Sequence, residues 1–246
     1  MGNVLITGTD TEIGKTWVTT ALFAYGRRYC PDQRWAVFKP IQTGVTPSVE
    51  HGVDQERGGD RSHYLRLFDF HQSADEISPL SFQAPLAPPL AAQREERPID
   101  LTPVWQTLQK LQSTYDQVLV EGIGGLGTPI TWEWTVADLA AAWKLPILLV
   151  VPVRLGAIAQ IVANVALARS HQLKIHGIIL NCVQPCTELD IQQWAPQDLI
   201  TDLTHVPILG ILPFMTAADD LTATDLDALG QIVAQWPLTS ILGKGS

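Results

Sequence analysis

The feature that most constrains the fold lies near the amino terminus, in the segment Val4-Leu-Ile-Thr-Gly8-Thr-Asp-Thr-Glu-Ile-Gly14-Lys15-Thr16. A short β-forming run is followed by a loop bounded by glycines, and Gly14-Lys15-Thr16 then opens a helical pattern. That order is typical of a phosphate-binding loop, because loop N–H groups and a helix N-terminus converge on one anion. Lys15 is predicted to reach the β- and γ-phosphates, and the Thr16 hydroxyl to ligate Mg²⁺. The segment predicts a nucleoside triphosphate site.

Composition limits the other classes of function. The chain has 246 residues, is 46% hydrophobic and carries a formal net charge of −9. The acidic balance argues against nucleic acid and anionic membranes as partners. We find no run long enough to span a bilayer and no signal-peptide layout, and therefore expect a cytoplasmic protein. The three cysteines, Cys30, Cys182 and Cys186, have neither disulfide-framework nor zinc-site spacing.

Runs of Val, Ile and Leu alternate with helical patterns along the whole chain. Beyond the first strand, we predict strands over residues 35–40, 117–121, 146–151, 175–180 and 206–212. Helices are predicted over residues 16–29, 60–68, 103–113, 135–143, 157–169, 191–203 and 225–236, and a long loop over residues 42–59. Continuous apolar strands that alternate with helices indicate a parallel sheet covered on both faces. We therefore predict one α/β domain over residues 1–246, of the type that carries a phosphate-binding loop.

Ligands of such folds bind at the carboxyl ends of the strands. Lys39 and Glu121 both end buried strands, and Gly122, Gly124 and Gly125 follow Glu121. A carboxylate there needs a cation, which Mg²⁺ would supply. Lys39 is either a solvent-reaching strand-end lysine or a site residue. Asp60 is either a helix N-cap or the second carboxylate on the metal.

Five blocks of sequence resemble the dethiobiotin synthetase family. They are Gly8-Thr-Asp-Thr-Glu-Ile-Gly-Lys-Thr16, Lys39-Pro-Ile-Gln-Thr-Gly44, Pro85-Leu-Ala-Pro-Pro-Leu-Ala-Ala92, Val120-Glu-Gly-Ile-Gly-Gly125 and Val153-Arg-Leu-Gly156. The blocks occur in the family's order. Five residues rather than the usual four separate Gly8 from Gly14, and this longer loop is normal in that family. The resemblance is weaker after Cys182, where only the strand end at Pro213 matches.

The resemblance implies an ATP-dependent carboxylase that works without biotin. Its substrate would be 7,8-diaminononanoate, with one amine taking up CO₂ as a carbamate. ATP would phosphorylate the carbamate, and the second amine would close a cyclic urea. The products would be dethiobiotin, ADP and phosphate, as part of biotin biosynthesis.

The family's site residues carry over only to matching positions. Phosphate contacts would come from Glu12, Ile13, Gly14, Lys15, Thr16 and Trp17. Mg²⁺ would be held by Thr16, Asp60 and Glu121, and Lys39 and Lys15 would act in catalysis. The nucleotide site would also include Gly122, Ile123 and Gly124, with Asn181 and Pro213 at the adenine, while Thr43 would contact the substrate.

A further segment, Pro152-Val-Arg-Leu-Gly156, runs from a strand end into a predicted helix N-terminus at Ala157. Free amides there could bind the substrate carboxylate, and Gly156 would let the backbone approach closely. The alternative is an ordinary turn between strand and helix. Because this segment serves the neighbouring subunit in the family, the resemblance implies a homodimer with Leu155, Gly156 and Ala157 at a shared site.

Two other functions remain as alternatives. A partitioning or division-type switch ATPase shares this fold, but it carries a signature lysine where this chain has Asp10. It also often ends in a basic amphipathic helix, unlike the end of this chain at Ser246. A related amidoligase acting on a corrinoid acid usually has a fused glutaminase domain, for which 246 residues leave no room.

Overall fold

A computed structural model describes residues 2–50, 53–57, 59–68, 71–215 and 221–238 of the chain. Its strands are β1 (Gly2–Gly8), β2 (Trp35–Phe38), β3 (Ile41–Thr43), β4 (Thr46–Glu50), β5 (Val53–Arg57), β6 (Leu80–Phe82), β7 (Gln117–Glu121), β8 (Ile147–Pro152), β9 (Ile175–Asn181) and β10 (Ile208–Leu212). Its helices are α1 (Lys15–Tyr29), α2 (Gly59–Leu67), α3 (Ala74–Ile77), α4 (Pro88–Arg94), α5 (Leu101–Thr114), α6 (Val136–Ala142), α7 (Ala157–Ser170), α8 (Glu188–Trp194), α9 (Gln197–Thr204) and α10 (Ala223–Val233). The carboxyl-terminal segment 239–246, which distinguished the switch ATPases above, lies outside the described residues.

The main sheet has six strands in the order β10-β9-β8-β1-β7-β2. Each neighbouring pair in it is parallel. β1 lies between β7 and β8, with Ile6 opposite Glu121 and Gly8 opposite Val150. The strand order reverses on either side of β1, and ligands of open parallel sheets bind at such a switch point. The phosphate-binding loop leaves the sheet at this position.

Both faces of the sheet are covered, as the continuous apolar strands predicted. Along β1, Val4 and Ile6 belong to a core cluster with residues of α1 and α10. Leu5 belongs to a second cluster with residues of α5 and α6 on the opposite face. Side chains alternate along a strand, so this division shows two packed layers around one sheet. The predicted α/β class with a parallel sheet is confirmed.

Two secondary-structure predictions were wrong. The predicted loop over residues 42–59 contains β4 and β5, which pair antiparallel. This stretch has no apolar alternation, so a search for periodicity cannot detect it. The predicted helix over residues 191–203 is two helices, because α8 ends at Trp194 and Pro196 forms the N-cap of α9. Proline disfavours a helical conformation in the residue before it, which separates the two.

No helix within the described ranges has the length and apolar character needed to cross a membrane.

Candidate active site

The phosphate-binding loop has a backbone that only glycine adopts easily. Gly14, the N-cap of α1, has φ +86°, in the left-handed region. A Cβ atom at Gly14 would lie 2.0 Å from Nδ2 of Asn181. That amide donates a hydrogen bond of 2.8 Å to the carbonyl oxygen of Ile13. Asn181, which ends β9, therefore packs directly against the loop and fixes its path, a contact that the predicted adenine role did not include.

Lys15 is folded back over the loop. Its side chain is buried, and Nζ donates a hydrogen bond of 2.8 Å to the carbonyl oxygen of Asp10. Burial and the nearby charge of Lys39 lower the pKa of Lys15 to about 8. An ammonium group in such surroundings gains from an added negative charge, so the loop is prepared for a polyanion.

Four polar side chains from different elements meet at the carboxyl edge of the sheet. Nζ of Lys39, after β2, lies 2.5 Å from Oδ2 of Asp60 and 2.8 Å from Oε1 of Glu121. It also donates to the carbonyl oxygen of Gly122 at 3.0 Å. Oγ1 of Thr16 lies 2.7 Å from Oδ1 of Asp60 and 3.0 Å from Oε1 of Glu121. The ammonium and the hydroxyl thus both contact the same two carboxylates.

At Lys39 and Asp60 the structure rules out the non-functional alternative, and the functional role of each residue stays a prediction. Lys39 does not reach solvent, since only 3% of it is exposed. Asp60 is not an N-cap, because α2 begins at Gly59 and the Asp60 carboxylate contacts Lys39 and Thr16. Residues 44 positions apart in sequence, Thr16 and Asp60, are joined through a direct hydrogen bond.

The ionisation of the cluster follows from burial and from Lys39. Burial alone lowers the pKa of Lys39, but the carboxylates of Asp60 and Glu121 outweigh it and raise that pKa above its ordinary value. Burial alone raises the pKa of Asp60, but the charge of Lys39 outweighs it and holds that pKa low. The pKa of Glu121 is raised, first by burial and then by the charge of Asp60. Lys39 is therefore the charged partner of a site rich in negative charge.

The oxygen atoms in this cluster suit a hard divalent cation. Magnesium prefers carboxylate and hydroxyl oxygens and is usually held by one or two carboxylates together with substrate phosphates. Thr16, Asp60 and Glu121 provide one hydroxyl and two carboxylates within hydrogen-bonding distance of one another. Within the described part of the chain, no group of three or more His, Cys, Asp or Glu residues could hold a metal. The predicted metal ligands thus fit a site that phosphates complete, and do not form a closed protein cage.

A cavity of about 1000 Å³ lies above this cluster. Thirteen of the predicted site residues line it: Glu12, Gly14, Lys15, Thr16, Trp17, Lys39, Thr43, Asp60, Glu121, Ile123, Gly124, Asn181 and Pro213. The side chain of Ile13 is buried in the core, and Gly122 takes part only through its carbonyl oxygen. A cavity of this volume is within the upper range of small-molecule sites.

The predicted carboxylate-binding segment lies outside that cavity in the single chain. Leu155 is 84% exposed, whereas Ala157 is buried. Gly156 is the N-cap of α7 with φ +91°, and a Cβ atom there would meet nothing within 4 Å. The amide of Ala157 already donates to the carbonyl oxygen of Arg154 at 3.1 Å. One protomer alone does not bring this segment to the Lys39 cluster.

Sequence reasoning missed Tyr64, whose ring is fully buried. Its hydroxyl donates a hydrogen bond to Oε2 of Glu121. Burial and the negative charges of Glu121 and Asp60 raise the pKa of Tyr64 well above its usual value, so the hydroxyl keeps its proton. A signal was available, because Tyr64 follows Asp60 by four positions and so lies on the same face of a helix. Gln42 and His63 also line the cavity and were not predicted.

Comparisons with known proteins identify the family of the chain. A family model described as an AAA domain matches residues 2–222. The ATP-dependent dethiobiotin synthetase BioD of Gloeothece citriformis is 49% identical over 221 residues, which cover 90% of this chain and 92% of that protein. The corresponding enzyme of Synechocystis is 42% identical over 97% of this chain and 94% of its own length. In Bacillus cereus strain G9842, the relative is 33% identical over 87% of this chain and 84% of its own length.

Solved structures show only a shared fold. The cell division protein MinD of Aquifex aeolicus is 15% identical, with a TM-score of 0.51 over 98% of this chain and 94% of its own. A ParA family ATPase from Chlorobium tepidum is 13% identical, with a TM-score of 0.51 over 99% of this chain and 94% of its own. At this identity the likeness does not favour the switch-ATPase alternative. The sequence relatives do decide the family: the chain belongs to the ATP-dependent dethiobiotin synthetases.

Proposed function

We propose that this protein closes a cyclic urea on 7,8-diaminononanoate, using CO₂ and ATP, and releases dethiobiotin, ADP and phosphate. One observation carries the proposal: Thr16, Lys39, Asp60 and Glu121 meet beside the phosphate-binding loop and at the floor of one cavity. ATP is the nucleotide that the family uses. The reaction needs a nucleotide and an acceptor side by side, and a cavity of about 1000 Å³ leaves room for both.

The chemistry divides into three balanced steps. One amine of the diamine adds to CO₂ and loses a proton, which gives a carbamate. A carbamate oxygen takes the γ-phosphoryl group of ATP, and ADP leaves. The second amine attacks the carbonyl carbon of the resulting anhydride and loses a proton, and phosphate leaves as the ring closes. The protein's main task in the second step is to position the reactants and supply positive charge, as in other phosphoryl transfers.

Two lysines divide that task. Lys15 emerges from the loop and would hold the phosphates throughout the reaction, in place of its present bond to the Asp10 carbonyl. Lys39, which follows β2, would face the oxygen that accepts the phosphoryl group. Its charge is already fixed between two carboxylates, so little reorganisation accompanies the transfer.

Mg²⁺ would be held by Thr16, Asp60 and Glu121. When bound there, the ion would neutralise charge on the phosphate oxygens. The remaining predicted nucleotide contacts, including Asn181 and Pro213 at the adenine, belong to the same proposal. The cytoplasmic location remains a prediction.

The active unit in this proposal is a homodimer. Leu155 is 84% exposed, and Val162 on the following helix is 41% exposed, so this region presents apolar side chains to solvent. A second protomer would bury it and bring Leu155, Gly156 and Ala157 to its partner's diamine. Leu155→Asp should shift the sedimentation profile towards monomer and reduce activity, whereas Leu189→Asp, at a residue 60% exposed on α8, should leave both unchanged. Full activity in a monomer would contradict the shared site.

The overall reaction is tested by ADP release. We expect release to require both the diamine and bicarbonate, and to fall strongly when either is omitted. The diamine that lacks only the carboxylate, 2,3-diaminooctane, should show a raised Michaelis constant while the Michaelis constant for ATP stays unchanged. ATP hydrolysis at the same rate without diamine would contradict the proposal.

A further inference from the structure

We infer that Tyr64 is a positioning residue that holds the two metal-binding carboxylates in register, through its hydrogen bond to Glu121. The inference rests on the proposed function, since it concerns the Mg²⁺ site of that reaction. Tyr64 is not among the residues that line the cavity, and the metal-binding side chain that its hydroxyl contacts is Glu121.

The two oxygen atoms of Glu121 have separate partners. Oε2 accepts a hydrogen bond from the Tyr64 hydroxyl. Oε1 lies 2.8 Å from Nζ of Lys39 and 3.0 Å from Oγ1 of Thr16. Glu121 is only 1% exposed, so water does not compete for Oε2. The hydroxyl therefore fixes which oxygen is turned towards Thr16.

Tyr64 also ties Glu121 to the helix that carries the second carboxylate. Asp60 and Tyr64 are four residues apart on α2 and lie on one face of that helix. Asp60 contacts Lys39 and Thr16, while Tyr64 contacts Glu121 at the end of β7. Through Asp60 and Tyr64, one face of α2 thus contacts Lys39, Thr16 and Glu121. A shift of α2 would therefore separate the carboxylates of Asp60 and Glu121.

The packing of the Tyr64 ring holds its hydroxyl in place beside Glu121. The residue is fully buried in the core cluster that includes Phe68 and Leu22. The neighbouring His63 ring lies edge-on at 5.6 Å between ring centroids, and His63 Nε2 is 3.1 Å from Oγ1 of Thr20 on α1. Hydrogen-bond partners of metal ligands commonly change metal affinity by about 10- to 100-fold when they are removed.

The test uses Tyr64→Phe, which removes the hydroxyl and keeps the ring. Mn²⁺ binding to the complex of the full chain with ADP is measured from the free-ion electron paramagnetic resonance signal. ADP affinity is measured separately in EDTA. We expect Mn²⁺ affinity to fall about 10-fold, and metal-free ADP affinity to stay within about twofold of the original.

A matched control is Tyr25→Phe, the same chemical change on α1, where the ring stacks on Tyr29 at 5.3 Å. It should leave both affinities unchanged. Equal Mn²⁺ affinities in Tyr64→Phe and Tyr25→Phe would overturn the inference. So would a parallel loss of metal-free ADP affinity, because that would show general damage to the loop.

A second comparison uses a double variant. Glu121→Gln removes the buried negative charge that accepts the hydrogen bond from Tyr64. Tyr64→Phe is then added to this variant. If Tyr64 acts through the Glu121 carboxylate, the addition should change Mn²⁺ affinity by less than about twofold. A further loss of about 10-fold would contradict the inference. None of these measurements uses the diamine. They therefore test the role of Tyr64 even if diamine-dependent ADP release is not observed.

Discussion

Nζ of Lys39 lies 2.8 Å from Oε1 of Glu121, the same oxygen that lies 3.0 Å from the Thr16 hydroxyl. Lys39 directly follows β2 and Glu121 ends β7, and these two residues are almost fully buried, with exposures of 3% and 1%. One carboxylate oxygen therefore faces a permanent cation on one side and the phosphate-binding loop on the other. This relationship connects the stability of the site with its chemistry.

The first prediction concerns the buried charge of Lys39. Lys39→Met removes the ammonium and leaves Asp60 and Glu121 without their cation. Breaking a buried ion pair in this way typically costs about 3 to 5 kcal/mol, so the free energy of unfolding in EDTA should fall by about 3 kcal/mol. Millimolar Mg²⁺ should recover part of that loss, because it can bind between the freed carboxylates. Urea unfolding with and without Mg²⁺ measures both effects.

Lys110→Met is the control for that change. Lys110 also pairs with a carboxylate, Glu76, but its side chain is 67% exposed. Exposed pairs contribute about 0 to 1 kcal/mol, so this variant should unfold close to the original midpoint and show no added response to Mg²⁺. A Lys39→Met protein as stable in EDTA as the original would show that the cluster is not the paired site described above.

The second prediction separates the two lysines. Lys15→Met should weaken ATP binding strongly, because Lys15 holds phosphates in the ground state as well as in the transition state. Lys39→Met should abolish turnover while ATP binding is better preserved, because Lys39 acts mainly as charge moves to the transferring group. Isothermal titration with a non-hydrolysable ATP analogue measures the affinities. Equal losses of affinity in the two variants would contradict this division.

The third prediction compares two glycines that both begin a helix in the left-handed region. Gly14 has φ +86° and Gly156 has φ +91°. A Cβ atom at Gly14 would lie 2.0 Å from Asn181 Nδ2, whereas at Gly156 it would meet nothing within 4 Å. Gly156→Ala should therefore cost only the backbone strain of about 1 to 2 kcal/mol. Gly14→Ala should cost more and also displace the loop, with loss of nucleotide binding. Similar stability and similar ATP affinity in the two variants would contradict this prediction.

The fourth prediction concerns pH and the start of α6. Asp138 accepts hydrogen bonds from the backbone and hydroxyl of Thr135 at 2.7 and 2.6 Å, and from His171 at 3.1 Å. The bonds from Thr135, and then the contact with His171, lower the pKa of Asp138 below its ordinary value. A lowered carboxyl pKa stabilises the fold above the unfolded pKa of about 4, and that stability is lost as the pH falls through the folded pKa.

Asp138→Ala should accordingly reduce the free energy of unfolding by about 1 kcal/mol at pH 7, as for other lost helix caps. The difference from the original protein should shrink as the pH is lowered below about 4. Denaturant unfolding over this pH range provides the measurement. A difference that grows towards low pH would have the wrong sign for a carboxylate held in its charged form.

Much of the site could be predicted because parallel strands end at one edge of the sheet. That rule alone groups Lys39, Glu121 and Asn181 with the loop, although they are far apart in sequence. The structure places all three on the same cavity. Asp60 could not be decided in this way, since it lies in a helix and a carboxylate at a helix start is also typical of capping.

What escaped prediction had no periodic signal or was hidden by a common pattern. The paired strands β4 and β5 lie in a stretch without apolar alternation. Tyr64 resembles an ordinary core aromatic, and only the structure shows that its hydroxyl reaches Glu121.

The origin of the ureido carbonyl carbon distinguishes the proposed reaction from simple ATP hydrolysis. The purified protein is incubated with 7,8-diaminononanoate, ¹³C-bicarbonate, ATP and Mg²⁺, and the product is examined by mass spectrometry and ¹³C NMR. The proposed reaction gives dethiobiotin with one label, at the ureido carbonyl, and one ADP for each product molecule. Unlabelled or absent dethiobiotin, together with ADP release that does not depend on the diamine, would contradict it.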